Sequence, residues 1–68
     1  MINEPPLLLA DHTASAILGI SRATLWRRVS DGTIPRPLKI GGATRWRRDE
    51  LMAVIERAAA ERDHGGAA

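Results

Sequence analysis

Only three residues, Gly19-Ile20-Ser21, separate two stretches of helical pattern. That short gap restricts the fold more than any other feature of the chain. Upstream, Ala14, Ile17 and Leu18 fall at i, i+3 and i+4, one apolar stripe. Asp11 suits the first turn, where the helix dipole favours a carboxylate. Gly19 can take a positive φ and stop the helix, and Ile20 returns to the core. Ser21 is a good N-cap for a second helix over about 22–31. Leu25 and Val29 form its core stripe and Gly32 its stop.

Pro35 and Pro37 forbid regular structure after that stop, so "TIPRP" is an extended connector. "LKIGGATRW", residues 38–46, has the pattern of a β-hairpin with Gly-Gly at the centre of its turn. Leu38 and Ile40 alternate around Lys39; Thr44 and Trp46 alternate with Arg45 and Arg47. A third helix opens at Asp49 or its neighbour. Its stripe of Leu51, Val54, Ile55 and Ala58 is the cleanest helical period in the chain. The order predicts a mainly α fold with a small β-hairpin: helix-turn-helix, two-stranded wing, C-terminal helix. Residues 1–6 are expected to be a flexible lead, 7–62 the domain and 63–68 a disordered tail.

The 68 residues allow one small domain. With no cysteine, neither disulfides nor thiolate zinc sites can hold it together. His12 and His64 lie far apart without ligand-like neighbours, so no metal or cofactor is expected. No nucleophile has a nearby base and no loop has a phosphate-cradling pattern, so the chain does not read as an enzyme. No apolar run approaches a membrane span, no signal peptide is recognisable, and a cytoplasmic location is expected.

Net charge is only +2, but it is unevenly spread. Residues 22–48 hold Arg22, Arg27, Arg28, Arg36, Lys39, Arg45, Arg47 and Arg48 against Asp31 alone. The rest of the chain has Arg57 and Arg62 against seven carboxylates. A basic middle between acidic ends fits an oriented footprint for a polyanion. In a helix-turn-helix the second helix enters the DNA major groove and its N-terminal residues meet base edges. The exposed face here is expected to carry Arg22, Ala23, Thr24, Arg27 and Arg28. A wing with Lys39 and Arg45 near its tip can reach a neighbouring groove or the phosphates.

"LGIS", "SRATLWRRVSDGTIPRP", "KIGG" and "RWRRDEL", in this order and spacing, resemble the small MerR-type winged helix-turn-helix proteins. These include AlpA-like prophage regulators and the excisionases of phages and integrative elements. The resemblance covers residues 7 to about 57. It implies sequence-specific binding of double-stranded DNA, at attachment-site or promoter repeats. It also implies work as a recombination directionality factor beside a cognate integrase, or as a regulator of an integrase or prophage gene. Cooperative occupation of adjacent repeats is a further implication, and the acidic third helix and basic middle could then meet head to tail. A protein–protein adaptor or antitoxin-like partner is the alternative from another class. Two positions depart from the pattern. Arg28 stands where an apolar residue is usual, and Ser15 where alanine is usual. The short C-terminus lacks a long dimerisation helix and effector domain, so no small-molecule effector is expected.

The expected DNA-contacting residues are therefore Ser21, Arg22, Ala23, Thr24, Arg27 and Arg28 on the helix, with Lys39, Gly42, Thr44, Arg45 and Arg47 on the wing. Arginine suits bidentate recognition of guanine O6 and N7, though phosphate contact is equally open to Arg22 and Arg27. Thr24 has contact with a phosphate or a thymine methyl, and back-bonding within its own helix, as equal readings. Arg28 can pack its stem on the core and send its head to a phosphate. Trp26 is expected to pack on the wing or connector, with the DNA backbone as its other reading, and Trp46 to be core.

Overall fold

The computed structural model describes residues 6–65. Along the chain come β1 (Leu8–Leu9), α1 (Asp11–Leu18), α2 (Arg22–Ser30), β2 (Leu38–Ile40), β3 (Ala43–Arg47) and α3 (Arg48–Gly65). The expected winged helix-turn-helix is the observed architecture, with one strand more than the sequence pattern showed.

α1 begins at Asp11, one turn before its apolar stripe, and ends at Leu18 as the stripe does. Gly19 adopts the left-handed conformation, φ 70°. Its N–H donates to the Ala16 carbonyl, and the N–H of Ile20 donates to that of Ser15 at 3.0 Å. This paired closure satisfies the last carbonyls and turns the chain sharply towards Ser21. Ser15 is buried, and its hydroxyl donates to the His12 carbonyl at 3.1 Å. The departure from alanine thus carries its own hydrogen bond and leaves no polar atom stranded. α2 ends in the same manner: Gly32 donates to Val29 and Thr33 to Arg28.

The sheet has three strands in the order β1-β3-β2, all antiparallel. β1 is the strand the sequence did not reveal; two residues are too short to show a period. It pairs Leu8 with Arg47 and Leu9 with Trp46, and the Leu7 carbonyl accepts from the Arg48 N–H at 2.8 Å. β2 and β3 are joined by Gly41 and Gly42, with φ of 55° and 88°. Positive φ at both central residues is what a two-residue turn needs to match strand twist.

The core draws one buried hydrophobic residue from each helix, from β1, from β3 and from the connector, and none from β2. They are Leu9, Ala14, Leu25, Ile34, Trp46 and Leu51. Leu18, Ile20, Val29, Met52 and Val54 pack around them. Ile34 lies in the connector, and the Pro35 carbonyl accepts the indole N–H of Trp46 at 2.9 Å. So the connector closes the core beneath the wing.

Three residues of the expected helical core stripes lie outside the core. Ile17 and Ile55 are exposed, at 39% and 38%, and Ala58 is exposed too. α3 projects beyond the small core after about Val54, so its regular stripe outlasts the surface available to cover it. Leu38 and Ile40 also lie outside, at 40% and 51% exposure. Lys39 pairs with Thr44, on the same face of the sheet as Trp46. That register turns the apolar pair outward. The helix α3 continues to Gly65, past the 62 at which the domain was expected to end. Residues 1–5 of the expected lead and 66–68 of the expected tail lie outside the described residues.

Candidate nucleic-acid interface

α2 offers one side to the core and the other to solvent. Leu25 is fully buried, and Arg28 and Val29 are half-buried. The outward stripe is Arg22, Ala23, Trp26, Arg27 and Ser30, at i, i+1, i+4, i+5 and i+8. Ser21 caps the helix: its hydroxyl oxygen accepts from the Thr24 N–H at 3.1 Å and donates to the Thr24 hydroxyl at 3.0 Å. The Thr24 side chain is thus turned onto the cap, its hydroxyl oxygen accepting from Ser21, and is half-buried.

Ion pairs sort the eight cations of the basic middle. Arg22 approaches Asp11 at 3.7 Å, Arg28 approaches Asp31 at 3.1 Å, and Arg47 approaches Asp49 at 2.6 Å. Arg27, Arg36, Lys39, Arg45 and Arg48 have no ion-pair partner among the described residues. The puzzle of Arg28 resolves here. Its guanidinium turns to the C-terminal end of its own helix, and its Nε is buried against Asp31 without hydrogen-bond alignment. It therefore sits to the side of the outward stripe, half-buried, with its charge shared with Asp31. Asp31 is held below the usual carboxylate range, first by hydrogen bonds from the Thr33 side chain and N–H and then by the Arg28 charge.

The wing residues divide between two faces. Lys39 and Thr44 are cross-strand partners on the Trp46 face, and Lys39 Nζ donates to the Thr44 hydroxyl at 2.9 Å. Arg45 and Arg47 lie on the opposite face, with Leu8, Leu38 and Ile40. Arg45 donates to the Thr44 carbonyl at 2.8 Å. Gly42 is exposed at the turn. The structure thus brings Lys39 to the α2 side of the sheet and separates it from Arg45 and Arg47.

Trp26 packs edge to face on Trp46, with ring centroids 5.0 Å apart and an interplanar angle of 65°. Its indole N–H points to Asp11 at 3.4 Å. The indole therefore packs on the wing sheet as expected, yet 40% of Trp26 stays exposed. Ser30 and Arg36 were not among the expected contacts, although they border the same outward surface. The spacing of Ser30 from Arg22, two helical turns and one residue on, was the available signal.

Among the described residues no group of histidine, cysteine and carboxylate side chains could hold a metal ion. No described helix is long and apolar enough to cross a membrane.

A capped helix held across a second by a three-residue turn, flanked by a hairpin and presenting arginines outward, defines a DNA-binding helix-turn-helix domain. The chain belongs to the helix-turn-helix domain family, whose sequence pattern matches residues 13–59. No curated protein matches the chain, and no solved structure matches it.

Proposed function

We propose that this protein is an excisionase or recombination directionality factor of a phage or integrative element. It reads the major groove of double-stranded DNA with α2 and reaches the backbone with its wing. The observation that carries the reading is the outward stripe of α2, where Arg22 and Ala23 stand beside the Ser21 cap at the helix N-terminus and Arg27 follows further along the same side. Arg27 is exposed and without an ion-pair partner among the described residues, so it is ready to meet a base edge or phosphate. The Asp11 carboxylate beside Arg22 would exchange for DNA at little cost, because exposed pairs hold only about 0–1 kcal/mol. The resemblance to AlpA-like regulators and excisionases supports the finer role, with a cognate integrase as partner and the bacterial cytoplasm as location. Regulation of an integrase or prophage gene is the same chemistry at a promoter.

One small domain covers few base pairs, so specificity calls for several copies. The carboxylates Glu50, Glu56 and Glu61 of α3, without an ion-pair partner among the described residues, complement Arg45 on the outer wing face, which supports head-to-tail contact on adjacent repeats. The deciding experiment is titration with the element's attachment-site and promoter DNA, followed by excision assays with and without integrase. Saturable binding well above the nonspecific level, weakening steeply with salt, is expected. Binding that never exceeds the nonspecific level refutes the reading and favours a protein adaptor.

A further inference from the structure

Between the C-terminal half of α2 and the base of the wing lies an open cleft of about 480 Å³. It is lined by Trp26, Val29, Ser30, Arg36, Pro37 and Lys39. We infer that this corner is a seat for one phosphodiester of a duplex DNA strand, with Arg36, Lys39 and Ser30 holding the phosphate and Trp26 bearing the sugar. The inference rests on the duplex-binding reading of α2 and adds three residues to it.

The first argument is charge. The lining contains two cations and no carboxylate. Arg36 has no ion-pair partner among the described residues. Lys39 donates one hydrogen bond to the neutral Thr44 hydroxyl, which leaves its charge uncompensated and two N–H donors available. Two other surface clefts set a carboxylate beside their arginine, Glu61 with Arg57 and Asp49 with Arg47, and a third holds Arg62 alone; this corner has two cations. The corner is thus a place where positive potential is left standing, and a low-dielectric apolar wall strengthens it.

The second argument is shape. Trp26 is fixed at both ends, by Trp46 on one edge and by Asp11 at its indole N–H. The exposed part of its ring is therefore a preset wall. With Val29 and Pro37 it offers apolar surface of the kind a deoxyribose covers, and the Ser30 hydroxyl adds a neutral donor. A free inorganic anion would leave that wall wet.

The third argument is continuity. Ser30 and Trp26 end the outward stripe that starts at Arg22, so the corner extends the α2 surface towards Lys39. A strand flanking the groove occupied by α2 runs into it. Holding a phosphate there would fix the angle between duplex and protein without reading sequence.

Backbone contacts are independent of sequence, so a mixed-sequence duplex of about 20 base pairs is a sufficient probe. Arg36 is exposed, and Arg36→Ala should fold normally by circular dichroism. It should weaken duplex binding about tenfold, as loss of a charged hydrogen bond does. The slope of log affinity against log salt should fall by about 0.9. Arg36→Lys should restore the slope. Acrylamide quenching supplies an independent readout. Trp46 is fully buried, so the accessible emission belongs to Trp26, and duplex should protect it. Salt-dependent binding by the wild type with an unchanged slope in Arg36→Ala overturns the seat and leaves the α2 reading intact. So does a Trp26 as open to acrylamide on DNA as off it. A wild type without salt-dependent duplex binding overturns both.

Discussion

The last strand of the wing and the middle of α2 each present a tryptophan to the same contact, and the two residues have opposite fates. Trp46 is wholly buried, its N–H donating to the Pro35 carbonyl. Trp26 touches it edge to face but stays 40% exposed, its N–H turned to a carboxylate on α1. One indole fills the core of a domain too small to have a second large buried aromatic; the other uses the first as a backing plate. The pair shows how a fold of this size makes a rigid surface, by resting an exposed ring on a buried one.

That contrast can be broken in order of size. Trp46→Ala removes the largest buried side chain and should cost about 3–5 kcal/mol. For a small domain this means loss of the cooperative unfolding transition in a urea titration. Trp26→Ala should cost about 1–2 kcal/mol, the edge-to-face contact plus partial burial, and leave a folded chain. Equal losses for the two would refute the division of labour between them.

Smaller effects sharpen the division on the DNA side. Arg27→Ala should leave the unfolding midpoint in place and remove about 1–3 kcal/mol of discrimination between cognate and altered sites, measured by competition. Arg28→Ala, whose cation is turned onto Asp31, should change discrimination far less. On the wing, Lys39→Ala should lower the salt slope by about 0.9, whereas Arg45→Ala, on the other face of the sheet, should leave it nearly unchanged. Identical slopes for both variants would show that the duplex meets both faces.

The smallest expected effect is acid sensitivity at the end of α2. The folded pKa of Asp31 is lowered by Thr33 and Arg28. Its contribution to stability is therefore present above the unfolded-state carboxylate value and is lost as pH falls through the lowered folded value. Asp31→Asn should flatten that part of an acid titration followed by circular dichroism. A profile unchanged from wild type would show that the Thr33 contacts do not bear on folding.

Much of this was legible because it is local. Gly19 and Ser21 set the turn, since a positive-φ closure and a hydroxyl cap are decided by neighbouring backbone groups. Leu25 and Val29 marked the inner side of α2 by spacing alone, and Arg22 and Arg27 followed as its outer side. The Gly41-Gly42 turn announced its hairpin in the same way.

Tertiary structure decided what depends on distant partners. Leu8-Leu9 became a strand because Trp46 and Arg47 lay alongside it, not because two residues carry a pattern. Leu38 and Ile40 alternate as a buried strand face would, yet the register with Ala43–Arg47 turned them out and Lys39 in. The regular stripe of α3 lost Ile55 and Ala58 to solvent because the core ends before the helix does. Composition gave eight cations in the middle of the chain. Only folding brought Asp11 to Arg22 across the turn and left Arg36 and Lys39 beside an open indole. Sequence spacing fixes which residues share a face, whereas a charge is neutralised or left free by whatever the fold sets within a few ångströms of it.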